Sequence, residues 1–199
     1  MLPAIRMARL ATFVLLVHTM VFILGNMLAD LVFGIPYLIQ VMGVALIGSQ
    51  YLLLLAFLLI TIFSRQWRFR LSAALYLALG IALIILVETG LSSPSALLYG
   101  VLLMMQTVAF ILFLCSFFKL DAGILTIKAF IAAGLVFLHA VLQNTDALIS
   151  LSDPLYQTGL WLSMMIRLMR MISLFGLLVF YNEWHTEAHH IQNPLTRTL

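Results

Sequence analysis

Six long apolar runs, separated by short polar breaks, make up most of the chain and restrict its fold more than any other feature. They cover residues 9–28, 37–63, 71–89, 96–119, 124–143 and 156–181. A helix needs about 20 mainly apolar residues to cross a hydrocarbon core of about 30 Å, whereas a tilted barrel strand needs only about 10. The pattern therefore predicts an all-α, polytopic integral membrane protein with a bundle of six transmembrane helices.

The composition excludes a water-soluble globular protein. Of the 199 residues, 64% are hydrophobic and 9% are charged, whereas a soluble domain has roughly 25% charged residues. A bilayer supplies the apolar solvent that such a surface requires. We expect a six-helix transmembrane domain over residues 1–184 and a short cytoplasmic tail over 185–199, which leaves no room for a soluble catalytic domain.

The basic residues predict the orientation of the chain in the membrane. They occur in alternate breaks: Arg6 and Arg9 before the first run, Arg65, Arg68 and Arg70 after the second, and Lys119 and Lys128 around the break after the fourth. The other breaks contain Asp30, Glu88, Asp146 and Asp153 and no Lys or Arg. Short loops rich in Lys and Arg stay in the cytoplasm. We therefore expect both termini to be cytoplasmic, in a plasma membrane or a bacterial inner membrane.

Five polar side chains fall near the middle of the predicted spans and form the candidate ligand- or partner-binding set: His18, Gln50, Gln106, Arg167 and Arg170. Insertion measurements put the cost of an arginine at the centre of a membrane helix at about 2.5 to 3.5 kcal/mol, so each one requires a partner. Arg167 and Arg170 are three residues apart and share a helix face. All seven acidic residues lie in breaks, at helix ends or in the tail, so neither arginine has an obvious counterion.

Three explanations for these arginines remain open at this stage. They could bond to backbone carbonyls and polar neighbours or extend their heads toward water, meet an acidic helix of another chain, or bind an anionic lipid or substrate in a wet cavity. The expected function is a non-catalytic membrane component that acts through helix contacts, such as a subunit, an assembly factor or a sensor-type input module. The alternatives are a small transporter or lipid-handling protein, and a redox subunit that binds haem or quinone. The expected partners are membrane lipids and other membrane subunits, with no nucleic acid.

The sequence contains few of the residue patterns that known active sites and cofactor sites require. His18 and His139 are the only intramembrane histidines, and their depths differ by about 8 Å, so we expect no haem or other cofactor. Cys115 lies too far from His139 in depth for a cysteine-based active site, and no nucleotide-binding motif occurs. We therefore expect no enzyme. In the tail, His185 and His189 are four residues apart and are weak metal-ligand candidates, because no third ligand is fixed.

Small residues predict where the helices approach one another closely. Ala74, Ala78 and Ala82 recur every four residues in the third run, and Ala129 and Ala133 repeat this spacing in the fifth. Such stripes allow close helix contact in membranes. We expect them to pack inside the bundle, with a homodimer face as the alternative.

Overall fold

A computed structural model describes residues 1–27, 36–88, 96–119, 123–152 and 159–192, and this part of the chain is helical apart from short turns. The helices are α1 (Leu2–Met27), α2 (Pro36–Phe63), α3 (Trp67–Glu88), α4 (Ala96–Cys115), α5 (Ile124–Ser152) and α6 (Leu160–Gln192), and a 3-10 turn, Ser116–Lys119, follows α4. Within the described residues, six helices are long and apolar enough to cross a membrane. The predicted helical class and the predicted number of spans are confirmed.

Several helices are longer than the apolar runs that predicted them. α1 begins at Leu2 rather than at residue 9, α3 begins at Trp67 rather than at residue 71, and α6 continues to Gln192 rather than ending at residue 181. The polar residues in these extensions keep their helical backbone hydrogen bonds, and some of their side chains bond to a neighbouring helix. Hydropathy marks the part of a helix suited to hydrocarbon, not the end of the helix itself.

The helices form a closed ring. Each one packs against the next in sequence, and α6 packs back against α1. Neighbouring helices run in opposite directions: Arg6 near the start of α1 donates to His185 near the end of α6, and the ring of Phe69 near the start of α3 packs against that of Phe113 near the end of α4. The start of α1 and the end of α6 therefore lie at one end of the ring, which we call the terminal end. Gly123 at this end has a φ of 54° immediately before α5, a left-handed conformation that favours glycine.

Aromatic side chains fill the centre of the ring at the terminal end. We call this cluster the aromatic floor: Phe57, Phe69, Phe110, Phe113, Phe117, Phe180, Tyr181 and Trp184. The ring of Phe117 lies 4.7 Å from that of Phe69 and 4.9 Å from that of Phe180, centroid to centroid, in edge-to-face geometry. Such pairs contribute about 0.5 to 1.5 kcal/mol each beyond their burial. The floor closes the ring at this end.

Three polar contacts hold α6 against its neighbours at the same end. The Arg6 Nε donates to His185 Nε2 at 3.2 Å, and an Arg9 guanidinium nitrogen donates to Asn182 Oδ1 at 3.3 Å. On the other side, Lys128 Nζ of α5 pairs with Glu183 Oε2 at 2.5 Å. The C-terminal part of α6 is therefore fixed to both α1 and α5.

The outer surface of the ring is apolar. Large side chains on several helices point outward and are about half exposed or more, including Phe13, Ile81, Phe130 and Phe137. Water would not accommodate such a surface, and a hydrocarbon solvent would. The exposed apolar surface agrees with the six candidate spans.

The small-residue prediction holds in one helix and is wrong in another. Ala129 and Ala133 of α5 are buried, as expected. Ala78 of α3 is exposed, whereas Leu79 and Leu83 are buried. The alanine stripe of α3 therefore does not face its helix neighbours along its whole length, because larger side chains fill that interior. The close approach on α3 occurs at Gly80, where an added Cβ would lie 2.8 Å from Gln106 Nε2 of α4.

Candidate functional site

An elongated cavity lies inside the ring, above the aromatic floor. It consists of two adjacent chambers, of about 380 Å³ and about 190 Å³. The chambers share the lining residues Leu15, Leu53, Tyr76, Gln106 and Arg170. All six helices contribute to the smaller chamber, so it lies on the axis of the ring. We call the larger one the outer chamber and the smaller one the inner chamber.

The outer chamber is mainly apolar and reaches the end of the ring that is opposite the termini. Its walls include Leu54, Leu83, Ile84 and Leu103. Along α3 it extends from Tyr76 to Val87, a distance of about 16 Å at 1.5 Å per residue. Ile47, Tyr51, Val87 and Tyr99 line it and are exposed, so this chamber is accessible from outside the ring. Gln50 lies on the same wall and is also exposed.

The inner chamber also has a mainly apolar surface, with several polar side chains among its lining residues. Thr12, Thr107, His139, Ser173 and Tyr181 line it together with Gln106 and Arg170. Tyr181 is fully buried, and its hydroxyl has no hydrogen-bond partner among the described residues. A buried hydroxyl left without a partner costs about 1 to 3 kcal/mol. The inner chamber therefore offers an unused donor at its lower end.

Arg170 stands where the two chambers meet. Its side chain is half-buried, and no hydrogen bond or ion pair joins it to another residue in the described part of the chain. It lies close enough to His18 and His139 to interact with them electrostatically. A histidine carries no negative charge, so neither one neutralises the guanidinium. Because Arg170 faces the axis of the ring, a helix packed on the outer surface would not contact it. The position suits a bound group inside the cavity.

Arg167 has different surroundings, although it lies only one turn away. Its guanidinium carbon is 4.7 Å from the centroid of the Phe22 ring of α1. The ring of His18 stacks on Phe22 with a centroid distance of 6.3 Å and an angle of 14° between the planes. A guanidinium over an aromatic face is stabilised by a cation–π interaction. Arg167 and His18 therefore lie at the contact between α1 and α6, beside the cavity rather than in its lining.

Of the residues singled out from the sequence, the structure brings Arg170, Gln106 and Gln50 together on the cavity. Sequence reasoning missed Tyr76 and Tyr181, and it considered His139 only for haem and for a cysteine-based active site. A signal was present in α6, where Arg170, Ser173, Leu177 and Tyr181 follow one another at helical spacing and share a face. The redox alternative with His18 and His139 stays a prediction.

Of the two tail histidines, the structure describes the side chain of His185 only. His185 accepts a hydrogen bond from Arg6. The side chain of His189 lies outside the described residues, and no group of three or more potential ligands occurs among the described ones. The weak metal prediction for His185 and His189 thus gains no support, and the cavity is the stronger candidate site.

The chain matches no protein-family model, and neither a curated protein nor a solved structure matches it significantly. The fold defines only a class: a ring of six apolar helices with a hollow interior on one side and a packed aromatic floor on the other. A fold of this kind does not specify an activity, so the function has to be argued from the cavity.

Proposed function

We propose that this protein is a multi-pass membrane protein, with both termini in the cytoplasm, that binds an anionic ligand in its central cavity as a small transporter or lipid-handling protein would. One observation carries the proposal: Arg170 faces the cavity and has no counterion in the described part of the chain. A cationic side chain at membrane depth is costly and requires a partner. A bound anion would provide one.

The chemistry of the lining suits a carboxylate or a phosphate. A guanidinium presents donors in a planar fork that matches both groups. The Gln106 amide lines both chambers together with Arg170 and carries a further donor. A hydrogen bond to a charged group contributes about 1.5 to 3 kcal/mol. Two or three such bonds would hold an anion without any metal.

The distribution of charge supports the proposed orientation. Six basic residues lie at the terminal end of the ring: Arg6, Arg9, Arg65, Arg68, Arg70 and Lys128. Positively charged loops stay on the cytoplasmic side. In this orientation the aromatic floor lies toward the cytoplasm and the accessible outer chamber lies toward the other side.

The interior position of Arg170 favours a ligand over a partner helix as its counterion. A subunit, assembly factor or sensor-type module acting through helix contacts stays a prediction, because the apolar outer surface could contact either lipid or another membrane protein. Among the described residues, that surface has no feature that distinguishes lipid from a protein partner.

The proposal is tested by ligand binding to the purified protein in nanodiscs of neutral lipid. The probes are radiolabelled inorganic phosphate, acetate and palmitate, and empty nanodiscs serve as the blank. We expect saturable binding of at least one probe. Arg170→Leu should weaken this binding about 10- to 150-fold, which corresponds to one lost hydrogen bond to a charged group.

The matched control is Arg65→Leu, which removes the same charge from an exposed position between α2 and α3. We expect it to leave binding unchanged. Arg170→Lys keeps the positive charge but lacks the planar set of guanidinium donors, so it should retain part of the affinity. Partial binding by this variant distinguishes loss of the cationic group in Arg170→Leu from misfolding. Absence of saturable binding for all three probes, or equal weakening by Arg170→Leu and Arg65→Leu, would overturn the proposal.

A further inference from the structure

We infer that an anion held by Arg170 binds together with one proton, which is taken from solvent and carried by His139. The inference rests on the proposed anion binding and adds a proton site to it. It follows from the level of His139 in the ring, from its charged and titratable neighbours, and from the residues that line the two chambers.

The packing of α5 against α6 brings His139 and Arg170 to the same level of the ring. The two antiparallel helices approach closely at Gly176, where an added Cβ would lie 4.0 Å from Ala132 Cα. Away from the terminal end, His139 is seven residues beyond Ala132, and Arg170 is six residues from Gly176. These separations correspond to about 10 Å and about 9 Å along the two helices. Both side chains line the inner chamber, and they interact electrostatically.

Gln106 of α4 lies near the same level. The hydroxyl of Thr126 in α5 donates to the carbonyl of Phe117 at 3.2 Å, which fixes the register of α4 against α5. Gln106 is eleven residues from Phe117 and His139 is thirteen residues from Thr126, about 17 Å and about 20 Å away from the terminal end. Three consecutive helices therefore supply an amide, an imidazole and a guanidinium to one region of the cavity.

His139 is suited to hold a proton only when an anion is present. Its side chain is half-buried and has no hydrogen bond or ion pair within the described part of the chain. A protonated imidazole beside Arg170 would place two positive charges close together, and their repulsion is strong where little water screens it. A bound anion offsets this repulsion. By linkage, the anion and the proton then favour the binding of each other. As a transporter, the protein would move the two together.

The other groups around the inner chamber do not titrate near neutral pH. Arg170 stays charged, and the hydroxyls of Tyr76 and Tyr181 belong to a residue type that ordinarily ionises near pH 10. The lining residues from α4 are uncharged, and no acidic side chain lines either chamber among the described residues. His18 interacts with Arg170 from beside the cavity. The two histidines are therefore the groups to be distinguished.

The pH dependence of anion binding tests the inference. The probes are radiolabelled acetate and sulfate, which keep their charge between about pH 6 and about pH 8.5, and the protein is in nanodiscs of neutral lipid. We expect binding to be at least about tenfold tighter at about pH 6, because one coupled proton changes affinity by up to about tenfold per pH unit. Calorimetric titration in buffers of different ionisation enthalpy should show net proton uptake at about pH 7.

Two matched variants assign the proton to one histidine. His139→Gln keeps a neutral polar side chain, so we expect it to retain Arg170-dependent binding and to lose both the pH dependence and the proton uptake. His18→Gln makes the same change beside the cavity and should keep both. Proton uptake by the original protein is measured without any substitution, so the inference can be tested even if a variant does not fold.

The outcomes distinguish this inference from the proposed function. If binding depends on Arg170 but is equally tight across the pH range, or occurs without proton uptake, the anion site stands and the proton site is excluded. A pH dependence that persists in His139→Gln and disappears in His18→Gln would overturn the assignment to His139. Absence of saturable binding of both anions at about pH 6 would also overturn it. If Arg170→Leu weakens the binding of no probe, both proposals fail.

Discussion

Two arginines one helical turn apart have different surroundings in this protein. Arg170 lines the cavity at the junction of its chambers, whereas Arg167 lies over the ring of Phe22 at the contact between α1 and α6. The same side chain thus stabilises a helix contact at one position and remains available to a ligand at the other. Substitution of each should separate the two roles.

Arg167→Leu should lower stability without weakening ligand binding. Loss of a partly desolvated cation–π contact should reduce the free energy of unfolding by about 0.5 to 2 kcal/mol. Thermal unfolding in detergent measures this effect, and palmitate binding should stay within about twofold of the original protein. A loss of binding as large as that of Arg170→Leu would instead place Arg167 in the site.

Tyr181→Phe should change stability rather than ligand binding. Without ligand, the substitution removes a buried hydroxyl that has no partner in the described part of the chain, so stability should be unchanged or higher by up to about 1 to 3 kcal/mol. Tyr181 is eleven residues from Arg170 on α6, about 16 Å along the helix axis, so affinity for an anion held by Arg170 should stay within about twofold. Lower stability of the unliganded variant would show that the hydroxyl has a structural partner.

Sequence reasoning located some of these residues and could not locate others, for a physical reason. Depth in the membrane follows from counting residues along a span, so Arg170 and Gln106 could be placed near the midplane. The direction of a side chain around most of the helices could not be read, because outside α6 they are apolar on nearly all sides. Ile81 and Ile84 are the same residue type on the same helix, yet one faces outward and the other lines the cavity. Only the packing of the ring distinguishes them.

At the scale of the element, α6 connects the cavity to the terminal end. This helix of 33 residues carries Arg170 and Tyr181 in the cavity and Asn182, Glu183 and His185 in the contacts that fix it to α1 and α5. Asn182 and Glu183 directly follow Tyr181 in the sequence, and His185 comes two residues later. The position of the ligand-facing side chains therefore depends on how α6 is held.

The ion pair between Lys128 and Glu183 should contribute a measurable coupling between α5 and α6. Its side chains are 30% and 24% exposed, so solvent screening is incomplete. We expect Glu183→Gln to reduce the free energy of unfolding by about 1 kcal/mol. In the double variant, Lys128→Gln should cause little further reduction, because the ion pair is already lost. Unfolding titrations of the single and double variants measure the coupling. Strictly additive effects would mean that the pair does not stabilise the helix contact.

At the scale of the whole molecule, the apolar runs predicted how many helices the chain has but not how they are arranged. Six spans could pack as a solid bundle or as a ring, and both have the same hydropathy. The ring follows from specific contacts, such as Arg9 with Asn182 between the first and last helices and the close approach at Gly80. The cavity is a consequence of that arrangement, which is why its polar lining was not recognisable as one site from the sequence.

The proposed orientation leads to an expected labelling pattern. In a Cys115→Ala background, Gln66→Cys lies between α2 and α3 on the proposed cytoplasmic side, and Gly159→Cys lies directly before α6 on the opposite side. A maleimide that cannot cross membranes should label the second position in intact cells and the first only after lysis. The reverse pattern would place the termini outside.

Because α1 contacts α6, the ring is closed, and every helix has two neighbours wherever the chain begins. A short linker between the last turn of α6 and Leu2 would join neighbouring segments at one end of the molecule, and residues 64–66 offer a new opening at that same end. A circularly permuted chain reopened there would begin with α3 and finish with α2, with every interhelical contact and the direction of every span preserved.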